Sequence, residues 1–189
     1  MDQDAALKGN GLNPQLFYFE KDLRETDHYK QTQESIKELK YCINELETAE
    51  EVEEHIRAHL LDDEDVASEG INQKRIDAIR PVIAPDLEPG ERIVFYGDDG
   101  VISRGKDFFV VTDRRSIFVA KKKHKVLCHK DIDAIKLDEG GYPGWHLNGD
   151  YEKDISPVGN KFRLQGAVVA LICLYAFEEE PDRRKIRIY

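Results

Sequence analysis

The chain has 189 residues, 40% of them hydrophobic and 35% charged, with a formal net charge of −10, which is apolar material for one domain of about 100 residues beside a smaller helical unit. The charge is uneven: residues 1–91 hold 10 Lys+Arg against 23 Asp+Glu, whereas residues 92–189 hold 18 against 15. An acidic half joined to a near-neutral half with one local basic patch does not suit a nucleic-acid coat, so nucleic acid is excluded as the partner class.

Residues 1–20 contain Gly9, Gly11 and Pro14 without a sustained period and are expected to form a mobile tail. Within it Leu16-Phe17-Tyr18-Phe19 is a run of bulky apolar residues, expected to dock on the chain's own globular part or on another copy. From Asp22 to Glu47, Tyr29, Thr32, Ile36, Leu39, Ile43 and Leu46 are spaced alternately three and four apart, which lines one narrow stripe of a helix. The stripe fits a short coiled-coil seam and a helix packed on an intrachain neighbour equally well. Thr48 followed by Glu51 is a capping box and predicts a second helix over about Ala49–Leu61, with Val52, Ile56 and Leu60 on one face. Asp62-Asp63-Glu64-Asp65 lacks the alternating ligands and central glycine of a calcium loop and reads as a solvated turn. A third helix from about Ile71 uses Ile76, Ile79 and Ile83, with Pro81 and Pro85 marking its end.

After Gly90 the helical periods give way to β-branched and aromatic runs between Gly, Asp and Asn turns. Seven strands are predicted, at about Arg92–Tyr96, Asp107–Thr112, Arg115–Lys121, Lys125–His129, Ile132–Leu137, Val168–Phe177 and Arg184–Tyr189. Asp138 to Leu164, with the single tryptophan and several Gly and Pro turns, is expected to be loop with one short extended piece. Phe108-Phe109-Val110-Val111 and Ile117-Phe118-Val119 are continuous rather than alternating, so both faces of these strands should be covered, by the helical region or by a second copy. The resulting organisation is a tail (1–20), a helical region (21–85) and a β domain (86–189).

Leu87 to Gly97 (LEPGERIVFYG), Asp107 to Lys121 (DFFVVTDRRSIFVAK) and Val126 to Leu137 (VLCHKDIDAIKL) resemble the bacterial pleckstrin-homology-like (PH-like) and GRAM-like domains. In that family a Gly-Glu opening strand precedes a hairpin tipped by Thr-Asp-Arg-Arg. The resemblance implies an α+β chain in which an acidic helical N-terminal region is followed by a seven-stranded antiparallel PH-like β-sandwich. It also implies a C-terminal helix plugging the sandwich, and none is evident in this reading because the seventh strand is expected to end at Tyr189. The family's self-association implies a homo-oligomer, with Phe109, Val111, Ile117, Val119, Ile36, Leu39, Ile43 and Leu46 as interface candidates. Within the hairpin, the Thr112 hydroxyl and the Asp113 carboxylate are expected to accept hydrogen bonds from turn amides or from Arg115, a structural role.

Lys121, Lys122, Lys123 and Lys125 form a basic turn. On a PH-like fold such a turn resembles a phosphoinositide-binding loop, which makes an anionic lipid head group the alternative ligand. Lipid-binding PH domains instead carry basic residues between their first two strands, where this chain has Asp98-Asp99 and only Arg104 and Lys106. Solubility, or pairing with an acidic partner, also accounts for the lysines. Cys42, Cys128 and Cys173 are widely separated and fit neither a disulfide framework nor zinc spacing. His55 and His59 lie four apart, but the sequence places no third ligand beside them, so no metal and no cofactor are assigned. No nucleophile elbow or phosphate-cradling glycine loop is present. The N-terminal MDQDAALKGNGLNPQ shows no secretory leader, and the longest apolar run, Ala167 to Phe177, is shorter than the ~20 residues of a membrane span. The expectation is a non-enzymatic, cytoplasmic module that binds a protein partner or itself, peripheral to a membrane if it binds lipid.

Overall fold

The computed structural model describes residues 17–19, 29–46, 48–59, 66–98, 107–120, 123–137, 144–148, 154–155, 162–182 and 185–189. Helix α1 (Tyr29–Glu45) buries Thr32, Ile36, Leu39 and Ile43 of the predicted stripe and leaves Leu46 partly buried. Ser35, Glu38 and Cys42, one position to the side, are buried as well, so the contact face is wider than a coiled-coil seam. Its partners lie within the chain. Helix α2 (Ala49–His59) starts where the capping box requires: Glu51 N donates to Thr48 Oγ1 at 3.2 Å and Thr48 N donates to Glu51 Oε2 at 3.2 Å. Val52 and Ile56 are buried on its inner face. The acidic run at 62–65 lies outside the described residues.

Strand β1 (Phe17–Phe19) falls in the stretch expected to be tail, and β2 (Val66–Ala67) follows α2. Helix α3 (Gln73–Ile83) buries Ile76, Ile79 and Ile83 as predicted, but it runs through Pro81 and ends in a 3-10 turn at Ala84–Asp86. Pro81 removes a bond to the carbonyl of Asp77, a residue on the exposed face where water can replace the donor. The proline is therefore tolerated in the last turn.

Strands β3 (Ile93–Asp98), β4 (Phe108–Thr112), β5 (Arg115–Ala120) and β6 (Lys123–Cys128) form an antiparallel meander, with β2 added beside β3. The continuous apolar runs have two covered faces. Phe109, Val111 and Phe118 join the larger core, whereas Phe108, Val110 and Ile117 join a smaller one with Ile76, Ile79 and Ile83 of α3. A register shift between Ile93 and Phe95 explains why Val94 and Phe95 both face the larger core. An intrachain helix covers the second face, and no second copy is needed there.

The second sheet has the order β1-β10-β7-β8-β9, built from β7 (Ala134–Leu137), β8 (Trp145–Leu147), β9 (Asp154–Ile155) and β10 (Ile186–Ile188). Strand β1 pairs in parallel with β10, and β10 in parallel with β7. The Phe17–Phe19 piece therefore docks on its own chain. Asn148, at φ 54°, turns β8 back: its Oδ1 accepts from the amides of Asp133 at 2.8 Å and Ala134 at 3.2 Å, and its Nδ2 donates to the Asp131 carbonyl at 2.8 Å.

Helix α4 (Phe162–Glu179) corrects the predicted strand at Val168–Phe177, the loop drawn through Leu164 and the expectation of no C-terminal helix. Every residue from Leu164 to Phe177 is buried. A helix apolar on all sides carries no amphipathic period, so its apolar run imitates a buried strand. With ten described strands, the count also departs from seven. Residues of both sheets, α1, α2 and α4 share the larger core. The chain is α+β, and among the described residues no helix is long and apolar enough to cross a membrane.

Candidate functional site

The hairpin tip joining β4 and β5 is a closed polar network. Thr112 Oγ1 accepts from the amides of Arg114 at 3.1 Å and Arg115 at 2.9 Å, and it donates to Glu91 Oε1. Asp113 Oδ1 accepts from the amide of Arg92 at 3.1 Å, across the turn. Arg115 bonds Glu91 at 2.9 Å and Glu88 at 2.6 Å, and Arg114 bonds Glu88 at 2.8 Å. These two arginines hold the Glu88 carboxyl below the usual range. Each polar side chain of Thr-Asp-Arg-Arg is thus engaged by the Pro89-Gly90 turn and its flanks. The expected role of Thr112 holds, while Asp113 reaches Arg92 and not Arg115.

The eight interface candidates lie in the chain's own cores: Phe109, Val111, Ile36, Leu39 and Ile43 in the larger one with Leu46 packed against it, and Ile117 in the smaller one beside Val119. Six of the eight are buried inside the chain, and Leu46 and Val119 are partly buried. Lys121 and Lys122 lie outside the described residues, and β6 begins at Lys123. Lys125 is partly buried, and His124 Nε2 lies 2.7 Å from Asp86 Oδ2, which places the start of β6 beside the turn after α3.

A second polar constellation joins three helices. Glu38 of α1 is buried, and its carboxylate accepts from Arg163 Nε of α4 at 2.7 Å and pairs with His55 Nε2 of α2 at 2.5 Å. Burial pushes this carboxyl up, but the hydrogen bonds from Arg163 and His55 outweigh it and hold the acid below its ordinary range. Cys42, one turn further along α1, is fully buried; burial first, and the Glu38 charge second, push its thiol up to about 12. The site opens to solvent through a cleft of about 590 Å³ lined by Glu34, Lys37, Glu38, Tyr41, His55, His59 and Arg163. His55 stands between Tyr41 and His59, with ring centroids 5.3 and 5.2 Å away.

Two local signals in the sequence bear on this constellation, the i,i+4 spacing of His55 and His59 and that of Glu38 and Cys42 beside the α1 stripe. Arg163 is 125 residues from Glu38, and no local pattern could place it there. No protein-family model matches the chain, and no curated protein or solved structure matches it either.

Proposed function

We propose that the chain is a non-enzymatic binding and assembly module whose C-terminal part is a PH-like domain, and that it engages a protein partner or a further copy of itself. The observation that carries this reading is the order of elements after Gly90. Four antiparallel strands (β3–β6) are followed by three (β7–β9) and then by a buried helix, α4. Seven strands and a helix are what the resemblance of Leu87–Leu137 implies for a PH-like domain, and β10, which follows α4 and pairs in parallel with β7, is an addition to that plan. The hairpin supports a scaffold role, because its charged side chains are engaged with Glu88, Glu91 and Arg92. With the apolar strand faces inside the two cores, the proposed interface lies outside the eight residues nominated for it.

Light scattering on the full chain across a concentration series tests assembly: a mass of two or more chains supports it, and a monomer throughout overturns self-association. Co-sedimentation with anionic vesicles at low and physiological salt tests the lipid alternative. Salt-resistant binding lost when Lys121, Lys122, Lys123 and Lys125 are changed to Ala would replace the protein-partner reading with a lipid one. Absence of binding removes the lipid alternative.

A further inference from the structure

Glu38 and Cys42 are the i,i+4 pair of α1 that faces α2, and His55 projects from α2 between them. Their oxygen, sulfur and nitrogen donors all lie within 4.8 Å of one another. Donors on a tetrahedral ion at ~2.0–2.3 Å would be separated by ~3.3–3.8 Å, so the Glu38–His55 pair, now 2.5 Å, has to open and the wider spacings to close, each by about 1 Å or less. His59, one turn beyond His55 and exposed on the same cleft, lies outside this set, so water from the cleft fills the fourth position.

From this geometry we propose that α1 and α2 form a binding site for a divalent transition-metal ion of the zinc class, with Glu38, Cys42 and His55 as its protein ligands. The mixed sulfur, imidazole and carboxylate donors match a borderline-soft ion and not magnesium or calcium, which take oxygen ligands. The buried thiol gives up its proton to solvent when it binds, and the ion supplies the charge that makes this favourable.

Arg163 is the cation on Glu38, in the electrostatic role that an ion would take there. Its side chain is 54% exposed, and Glu34, one turn before Glu38, also acts on its charge. Arg163 can therefore turn towards Glu34 when an ion takes the carboxylate. The competing account is a purely structural ion triad with a cysteine packed beside it. The two differ in one respect: a triad needs Arg163, whereas a metal site competes with it.

Titration of the chelator-treated full chain with Co²⁺ decides between them. One equivalent should bind, with visible tetrahedral bands and a near-ultraviolet thiolate-to-cobalt band, and Zn²⁺ should displace it. Cys42→Ser should abolish the thiolate band, while Cys128→Ser and Cys173→Ser retain it. His55→Ala should weaken Zn²⁺ binding by more than the ~10–100-fold typical of losing a group that only supports a ligand. Arg163→Ala should bind zinc at least as tightly as the native chain. A zinc-edge absorption spectrum of the unaltered chain reads the same ligands without any substitution, and one sulfur at about 2.3 Å is expected. Absence of that sulfur shell, a thiolate band that survives Cys42→Ser, or zinc binding that requires Arg163 would each overturn the proposal.

Discussion

At Gly166 the backbones of α1 and α4 come close together. A Cβ built on it would lie 2.0 Å from the Ser35 carbonyl oxygen, 2.9 Å from the Ser35 carbonyl carbon and 3.0 Å from the Leu39 amide nitrogen. All three are backbone atoms of α1, so no rotamer change can relieve them. Reaching ordinary contact requires the helices to separate by about 1 Å or more, at a cost of ~1–3 kcal/mol or above. Helix propensity acts in the opposite direction, because alanine in a helix interior is favoured over glycine by ~1 kcal/mol. The two effects predict opposite signs for Gly166→Ala, and the steric one should win. A net loss of about 2 kcal/mol is expected, a large fraction of an ordinary domain's stability. Separation would also strain the bond from Trp145 Nε1 to Ser35 Oγ, now 2.9 Å. Chemical denaturation followed by far-UV circular dichroism and by the fluorescence of Trp145, the single tryptophan, reads both effects. A Gly166→Ala chain as stable as the native one, or more stable, would refute the close approach of α1 and α4.

Removing the α2 cap with Thr48→Ala should destabilise by ~1 kcal/mol, seen as a lower denaturation midpoint at unchanged slope; no change would show the reciprocal Thr48–Glu51 bonds to be dispensable. Thr112→Val keeps the shape of the side chain but removes two accepted bonds and the one donated to Glu91. A loss of ~2–3 kcal/mol follows from leaving those groups without their partner, measured in the same way. His129 is fully buried, with Ser116 Oγ 3.1 Å from its Nε2. Burial first, and the Arg115 charge second, pull its pKa down to about 3. Because an unfolded histidine titrates near 6.5, the unfolded chain binds the extra proton between these values. Stability is therefore fully present above pH ~6.5 and falls by ~1.4 kcal/mol per pH unit as pH drops towards 3. His129→Gln should be less stable at neutral pH but show a shallower decline on acidification, and parallel pH profiles would contradict this account.

What could be read along the chain was whatever neighbouring residues settle among themselves. The stripes of α1 and α3 appear as three-and-four spacing, the start of α2 as Thr48 and Glu51, and the β4–β5 turn as Thr112 to Arg115. Continuous apolar residues in β4 and β5 even signalled two covered faces, since a strand with one wet face alternates. Helix α4 was illegible for the converse reason: burial on all sides erases the amphipathic period that marks a helix. Strands β2 and β9 are two residues long, too short to leave a period.

The candidate site divides in the same way. The spacing of His55 from His59 and of Glu38 from Cys42 is local and visible, but it has no meaning until two helices face each other. The sequence by itself determined the existence of α1, α2 and α3, the cap of α2 and the hairpin, because these depend on contacts within a few residues. Only the tertiary structure decided that α3 covers the outer face of the meander, that β1 and β10 join β7, and that α4 carries Arg163 to Glu38. Each of those depends on apolar area and charge contributed by segments far apart in the chain, and burial is a property of the assembled core.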